Sequence, residues 1–330
     1  MAASVAVFGA AGFTGALTAR LLHAHPWFEL TALTARSDVG RRLNEVYPHH
    51  RVPLVLEELD LDRHAQVDAA VVAYPHGAAA ELVGELRTRG VRVVDLSADF
   101  RLRDPNVYEQ WYRLHPAPEL LAQAVYGLPE RYREAIRAAD LVANPGCYPT
   151  AALLALAPLA RAGLIDDVVI DAKSGVSGAG RAATERTHFV SVDENVSAYG
   201  VPRHRHTPEI EQELAALGAA GPITFTPHLL PLDQGELVSC YVTGAEHADE
   251  LARLYAESYA EEPFVEVVEQ PPGVRDVRET NYCRMSVHRD ERTGRVIVFA
   301  AIDNLWKGAA SQAVQNLNLM FGRPEGEGIA

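Results

Sequence analysis

Residues 5–8, Val-Ala-Val-Phe, run directly into Gly9-Ala10-Ala11-Gly12-Phe13-Thr14-Gly15, and residues 16–23 continue at helical spacing. An apolar run that breaks into three glycines at intervals of three and then enters a helix is a strand–turn–helix unit. Few folds accept it. The glycines permit a tight turn, a close approach of backbone to a pyrophosphate and close packing of helix on strand, while the helix N-terminus offers amides and partial positive charge to phosphates. Gly9, Gly12, Phe13, Thr14 and Gly15 are therefore candidate contacts to a dinucleotide. Glycine loops of this type occur in many unrelated proteins, and position after a first strand gives this one its weight.

Further short apolar runs at residues 30–34, 69–73, 91–96 and 141–143 alternate with amphipathic stretches such as residues 78–87. This pattern predicts βαβ units, hence an α/β fold with a doubly wound parallel sheet covered by helices on both faces. After Gly146 the texture changes. A helix over residues 149–161 leads to longer strands at 168–172, 223–226, 236–243 and 264–268, and residues 282–288 and 295–302 flank a turn as an antiparallel hairpin. We expect an α+β second domain with a mixed or antiparallel sheet. The helical segment 309–321 should return to the first domain. The expected division is a cofactor domain of residues 1–146 with 304–330, and a catalytic and oligomerisation domain of residues 147–303. The tail, 322–330, should fray.

Thirty basic residues against forty-four acidic ones leave a net charge of −14. That balance disfavours nucleic acid or an anionic membrane surface as partner, so anionic ligands must be met by locally placed cations. At the end of the second strand, where an acid would hold the 2′-hydroxyl of NAD, the chain reads Thr34-Ala35-Arg36-Ser37. An arginine and a hydroxyl there suit a 2′-phosphate, so NADP is expected, with Arg36 and Ser37 as contacts. Arg41 and Arg42 add charge nearby, against Asp38. The start lacks the positive segment of a secretory signal, and the longest apolar stretch, 151–160, is short for a membrane span and contains Pro158. Three scattered cysteines form no metal-ligand spacing and no disulfide framework, so no metal is expected and a reducing, cytoplasmic setting fits. The basic residues comprise 28 Arg and two Lys, Lys173 and Lys307, both inside motifs discussed below.

Cys147 lies in Asn144-Pro145-Gly146-Cys147-Tyr148-Pro149, just before the helix over 149–161. A thiol at a helix N-terminus is favoured as thiolate, the attacking form, which makes Cys147 a candidate nucleophile. Cys240 and Cys283 sit inside apparent strands and read as small core residues. A thiolate enzyme needs a proton shuttle. His204-Arg205-His206-Thr207-Pro208-Glu209 places two histidines before a helix with Thr207 as its cap and Pro208 as its first residue. His206, nearer the helix, is the first choice as acid/base, leaving His204 as a structural residue or substrate contact. Lys173-Ser174-Gly175-Val176-Ser177-Gly178-Ala179-Gly180-Arg181 is a glycine- and serine-rich loop after a strand, suited to donating backbone amides. Arg101, in Asp95-Leu96-Ser97-Ala98-Asp99-Phe100-Arg101, closes a strand of the first domain and is placed to grip a phosphate or carboxylate. A surface ion pair with Asp99 or Asp104 is the plainer alternative.

Eight motifs occur in order along nearly the whole chain: GAAGFTG, DLSADFRL, YGLPE, NPGCYPTA, KSGVSGAGR, HRHTPEI, PHLLP and DNLWKGAA. Together they closely resemble the N-acetyl-γ-glutamyl-phosphate reductase family of arginine biosynthesis, relatives of aspartate-semialdehyde dehydrogenase. NPGCYPT and HRHTPEI are the specific members of the set. The resemblance implies NADPH-dependent reduction of a small acyl phosphate to an aldehyde through a cysteine thioester, with release of phosphate, in a homodimer or homotetramer. It places the nucleophile at Cys147, the acid/base group in the His204–His206 run, and Asn304 and the Lys307-Gly308 turn on the nicotinamide side. The resulting set is catalytic Cys147 and His206; substrate-binding Arg101, His204, Glu209 and Ser177; and cofactor-binding Gly178, Asn304 and Lys307 with the loop residues and Arg36 and Ser37 above. One departure stands out: after PHLLP many members carry Arg-Gly, where this chain has Asp233-Gln234-Gly235-Glu236. Two alternatives are the same chemistry on a carrier-bound aminoadipyl phosphate, disfavoured by the acidic surface, and a dinucleotide sensor without catalysis, which requires an unreactive Cys147.

Overall fold

The computed structural model describes residues 2–219, 221–245 and 250–329. The chain forms two compact units, one taking residues up to Gly146 and again from Ala309, the other Cys147–Gly308. Residues 304–308 therefore stay with the second unit, whereas the sequence pattern predicts them in the first. The reason is local. Asn304 accepts a hydrogen bond from the Gly235 amide and donates to Ser177, and Gly308 lies against Cys147.

In the first unit seven parallel strands are hydrogen-bonded in the order β3-β2-β1-β4-β5-β7-β6. They are β1 (Ala3–Phe8), β2 (Phe28–Thr34), β3 (Leu56–Glu57), β4 (Ala69–Val72), β5 (Arg92–Asp95), β6 (Val125–Tyr126) and β7 (Leu141–Ala143). Central strands are apolar without alternation: Val5 to Phe8 and Ala69 to Val72 are all fully buried, because both faces of the sheet are covered. The chain runs outward from β1 to β3 and then places β4 on the other side of β1. The crevice beyond the carboxyl ends of β1 and β4 is thus the switch point at which open α/β sheets hold ligands. The helix Ser311–Met320 packs on the helices Phe13–Ala24 and Pro129–Arg137 of this unit.

The tail does not fray. His25 Nδ1 accepts from the Trp27 and Phe28 amides, and its Nε2 meets Asn318 Oδ1 at 3.1 Å and the Glu327 carbonyl at 2.9 Å. Arg133 pairs with Glu325, Arg323 pairs with Glu327, and Ile329 is buried. A segment rich in glycine, proline and glutamate looks mobile as a string. Here its carbonyls and carboxylates find donors that lie far away in the chain.

In the second unit seven strands form a mixed sheet, ordered β12-β13-β14-β11-β8-β10-β9. They are β8 (Asp167–Ser174), β9 (Ser197–Ala198), β10 (Ile223–Leu229), β11 (Glu236–Thr243), β12 (Val265–Val267), β13 (Cys283–Arg289) and β14 (Val296–Ile302). Strands β10 and β8 pair in parallel, as do β12 and β13, and the other pairs are antiparallel. Period-two alternation sets the two faces. Val168, Ile170 and Ala172 of β8, Val238, Cys240 and Val242 of β11, and Val296, Val298 and Ala300 of β14 are buried, on strands of which β11 and β14 pack against the helix Cys147–Arg161. The opposite face carries half-buried Val169, Tyr241 and Ile297 side by side across three strands.

Candidate active site

The glycine loop tests whether a dinucleotide fits. Gly9 has φ of +90°, and a Cβ there would lie 2.5 Å from the Ala73 carbonyl oxygen at the end of β4, so only glycine brings the two strand ends this close. The helix Phe13–Ala24 has Gly12 at its cap and no side-chain cap, leaving its first amides to an anion from outside. At the end of β2, Thr34 is buried and Ala35, not an acid, follows. Arg36 is exposed, with its guanidinium 5.3 Å from the Tyr74 ring centroid, and Ser37 beside it is exposed too. Arg41, by contrast, is paired with Asp38 at 2.9 Å. A cleft of about 920 Å³ opens beside this corner, lined by Arg36, Tyr74, Ala78 and Leu61 among others. The loop, the anion-ready helix end and the cation at β2 fit a dinucleotide carrying a 2′-phosphate.

Arg101 is buried rather than on the surface. Its Nε donates to the Asn144 carbonyl at 2.8 Å and one Nη to the Leu96 carbonyl at 2.9 Å. The motif around it is a closed polar network. Asp95 accepts from the Ser97 amide and hydroxyl; Asp99 accepts from the amides of Gly77, Ala79 and Ala80 and from Tyr108 Oη. Burial, reinforced by Asp99, pushes the Asp95 carboxyl up to about 7.

In the second unit Cys147 is the first residue of a fifteen-residue helix, Cys147–Arg161, two residues earlier than the sequence reading placed its start. No acid stands in its first turn, so the positive end of the helix faces the thiol without compensation from its own side chains. Cys147 is half-buried, while Cys240 and Cys283 are fully buried in strands, and burial pushes the Cys240 thiol up to about 12. The Lys307-Gly308 turn abuts Cys147. A Cβ on Gly308 would sit 2.8 Å from the Cys147 Cβ, which only glycine avoids.

Tyr148 joins the helix start to the histidine run. Its ring packs edge-on against His204 at 5.9 Å, His206 at 5.8 Å and Phe225 at 5.3 Å, and its hydroxyl meets that of Tyr199 at 3.0 Å. His206, not Thr207, occupies the cap position of the helix Thr207–Ala215, and its own amide donates to His204 Nδ1 at 3.1 Å. That bond separates the two histidines. It commits His204 Nδ1 as an acceptor, and burial, with Arg205 adjacent, lowers His204 to about 4, so this ring stays neutral near pH 7. Glu209 is buried in the first turn of the same helix.

Ser177 Oγ donates to the Asp233 carbonyl at 2.6 Å and accepts from Asn304 Nδ2 at 3.0 Å. A Cβ at Gly178 would come 3.1 Å from Ser174 Oγ. These bonds tie the 175–178 loop to Asp233 and Gly235, in the stretch where the chain departs from the Arg-Gly pattern. Lys307 is fully buried, with Nζ 5.7 Å from the Phe264 ring centroid. Lys173 instead pairs with Asp171 at 2.6 Å on the half-exposed sheet face.

Two acids escaped the sequence reading. Glu236 is fully buried at the start of β11, near Cys147, and neither of its oxygens has a hydrogen-bond partner among the described residues. Burial pushes it up to about 8, an effect the thiol opposes and Asp303 reinforces. Asp303 accepts from the Glu279, Leu305 and Trp306 amides. The only signal for Glu236 was a charged residue opening an otherwise apolar strand. Among the described residues no cluster of three metal-ligating side chains occurs, and no helix is long and apolar enough to cross a membrane.

Comparison with known proteins gives the family and the fold. Residues 4–139 match the family model described as semialdehyde dehydrogenase, NAD binding domain, and residues 147–304 the one described as semialdehyde dehydrogenase, dimerisation domain. The chain is 54% identical to an N-acetyl-gamma-glutamyl-phosphate reductase of Desulforudis audaxviator, over 98% of this chain and 97% of that one. It is 51% identical to the protein of that name from Rubrobacter xylanophilus, over 100% and 99%. In fold it is similar to aspartate semialdehyde dehydrogenase II from Vibrio cholerae, with a TM-score of 0.74 at 20% identity, covering 98% and 99% of the two chains. A second solved structure, aspartate semialdehyde dehydrogenase with NADP from Candida albicans, superposes with a TM-score of 0.73 at 15% identity, covering 97% and 99%.

Proposed function

Because the chain belongs to the N-acetyl-gamma-glutamyl-phosphate reductase family, we propose that it reduces N-acetyl-γ-glutamyl phosphate to N-acetylglutamate semialdehyde with NADPH, releasing phosphate. The observation that carries the chemistry is Cys147 as the first residue of its helix, against Gly308, with the His204–His206 run packed on the neighbouring Tyr148. Cys147 Sγ attacks the acyl carbon, the C–S bond forms, and the C–O bond to phosphate breaks with phosphate taking the electron pair. Dividing one displacement into two easier steps is what a covalent nucleophile contributes. In the first unit the Gly9–Gly15 loop, Arg36 and Ser37 would hold the phosphates of NADPH, which supplies the hydride when bound; in the second unit Gly178, Asn304 and Lys307 are the residues proposed for a nicotinamide. His206 moves the proton, since the His204 ring is committed and neutral. Arg101 and Glu209 are the substrate-binding candidates. Ser177 Oγ is taken by Asp233 and Asn304 and His204 Nδ1 by the His206 amide, as Nε and one Nη of Arg101 are by the Asn144 and Leu96 carbonyls.

The half-buried face of the second sheet, centred on Val169, Tyr241 and Ile297, is the surface proposed to join copies of the chain into a homodimer or homotetramer, and light scattering measures the state. The cytoplasm is the proposed setting. The deciding assay is phosphate-dependent oxidation of N-acetylglutamate semialdehyde with NADP. Arsenate should replace phosphate and water should not. Retention of turnover by Cys147→Ser would overturn the scheme.

A further inference from the structure

We propose that Tyr74 is a positioning residue for the cofactor's 2′-phosphate: its ring holds the Arg36 guanidinium in place without using the N–H donors that the phosphate needs. The inference deepens the proposed function and rests on Arg36 as the 2′-phosphate contact.

Both partners stand on fixed backbone. Tyr74 lies two residues beyond β4, which pairs in parallel with β1, so the ring emerges beside the glycine loop. A Cβ at Gly9 would come 3.1 Å from Tyr74 Cδ1, which shows the ring packed on that loop. Arg36 lies two residues beyond β2. Just before it, the Thr34 carbonyl accepts from the Gly9 and Ala10 amides and the Ala35 amide donates to the Glu57 carbonyl, pinning the chain on both sides. From there the side chain crosses the end of β1 and brings its guanidinium 5.3 Å from the Tyr74 ring centroid, within the range of a cation–π contact.

The nearby charges give the ring its importance. Asp38 is taken by Arg41 at 2.9 Å, and Glu57 by Arg63 and by His64 at 2.8 Å. Among the described residues no carboxylate pairs with Arg36. Glu81, Glu85 and Glu119 line the same cleft, so a phosphate there depends on a cation. Arg87, the other cation of the lining, is engaged with Asp140 and the Val91 carbonyl. A carboxylate could also hold Arg36, but it would occupy the N–H groups and cancel the charge. An aromatic face attracts the cation through its quadrupole and leaves the N–H groups free to fork onto phosphate oxygens. A side chain ordered before the cofactor arrives also loses less freedom on binding. Tyr74 thus confers preference for a phosphorylated ribose by acting through Arg36.

The test is direct binding: titration calorimetry of the full-length protein with 2′,5′-ADP and with 5′-AMP, which differ by that phosphate alone. Tyr74→Leu should weaken 2′,5′-ADP by about 3- to 30-fold, the span from an exposed to a desolvated cation–π contact, and shift 5′-AMP less than twofold. Tyr74→Phe, which keeps the aromatic face, should match the wild type. In Arg36→Ala, adding Tyr74→Leu should weaken 2′,5′-ADP no further, because the ring acts through the guanidinium. An unchanged 2′,5′-ADP affinity in Tyr74→Leu overturns the inference, as does a Tyr74→Phe protein as weak as Tyr74→Leu. Equal losses for both nucleotides overturn it too, and would mean that the ring contacts the adenosine instead. Should Tyr74→Leu melt well below the wild type, Tyr74→Met takes its place in the same comparison. If Arg36→Ala keeps the full preference for 2′,5′-ADP, the reading of Arg36 fails and takes the inference with it. That outcome is distinct from a preference that needs Arg36 and is indifferent to Tyr74.

Discussion

His204 and His206 are the same side chain two positions apart, and one hydrogen bond divides their chemistry. The His206 amide uses the Nδ1 lone pair of His204, and burial keeps that ring neutral. His206→Asn should lower kcat by about 10²- to 10⁴-fold, the usual range for loss of a general acid–base group, with little change in melting temperature. His204→Asn should do the reverse, melting earlier because a packed ring is lost from among Tyr148, Tyr199 and Phe225. Steady-state kinetics and thermal melts on the two variants separate these outcomes. Arg36 makes a comparable case for the cofactor. Arg36→Ala should raise KM for NADPH about 10- to 100-fold, equivalent to losing a charge-assisted hydrogen bond of roughly 1.5–3 kcal/mol, and should leave KM for NADH nearly unchanged. Equal effects on both cofactors would remove Arg36 from the 2′-phosphate.

Among the elements, the turn around Gly308 and the start of the cysteine helix form one unit. Gly308→Ala sets a methyl 2.8 Å from the Cys147 Cβ, so either the turn or the thiol must shift. A displacement of about 1 Å at a reacting atom can lower turnover by roughly 100-fold, and the expected signature is a fall in kcat with fold and cofactor affinity retained. The C-terminal segment is the other element-scale case. His25 satisfies two amides with one ring nitrogen and reaches Asn318 and Glu327 with the other. His25→Ala leaves those groups without their partner and should destabilise the first unit by about 1–3 kcal/mol, measured by denaturant unfolding. These two elements were unequally legible. The cysteine turn announces itself through Asn-Pro-Gly before the thiol and proline after it, whereas nothing in residues 322–329 records the distant histidine that holds them.

For the whole molecule, three groups shifted by burial, His204, Asp95 and Glu236, act on stability in opposite directions with pH. His204 titrates near 4 when folded against 6.5 for an ordinary histidine, so from about pH 4 to 6.5 the unfolded chain binds the extra proton and stability rises with pH. Asp95 and Glu236, raised to about 7 and about 8, bind the extra proton in the folded state, and stability falls as pH rises through those values. Between pH 7 and 8.5 Glu236 dominates the three. The wild type should therefore lose melting temperature across that interval, and Glu236→Gln should lose clearly less; parallel curves would show that Glu236 ionises at an ordinary pH. By itself the sequence determined the doubly wound first unit, the glycine loop, the likeness of Arg36 to a 2′-phosphate contact, and Cys147 as the candidate nucleophile. Those features are local, written in apolar periodicity, glycine spacing and helix starts. Only the tertiary structure decided that Glu236 stands near Cys147, that His204 is held as a neutral acceptor, that Arg101 lies buried among carbonyls and that the tail is anchored. Each of these depends on strand register and burial, which bring together groups far apart in the chain and remove them from the water that would otherwise set their charge.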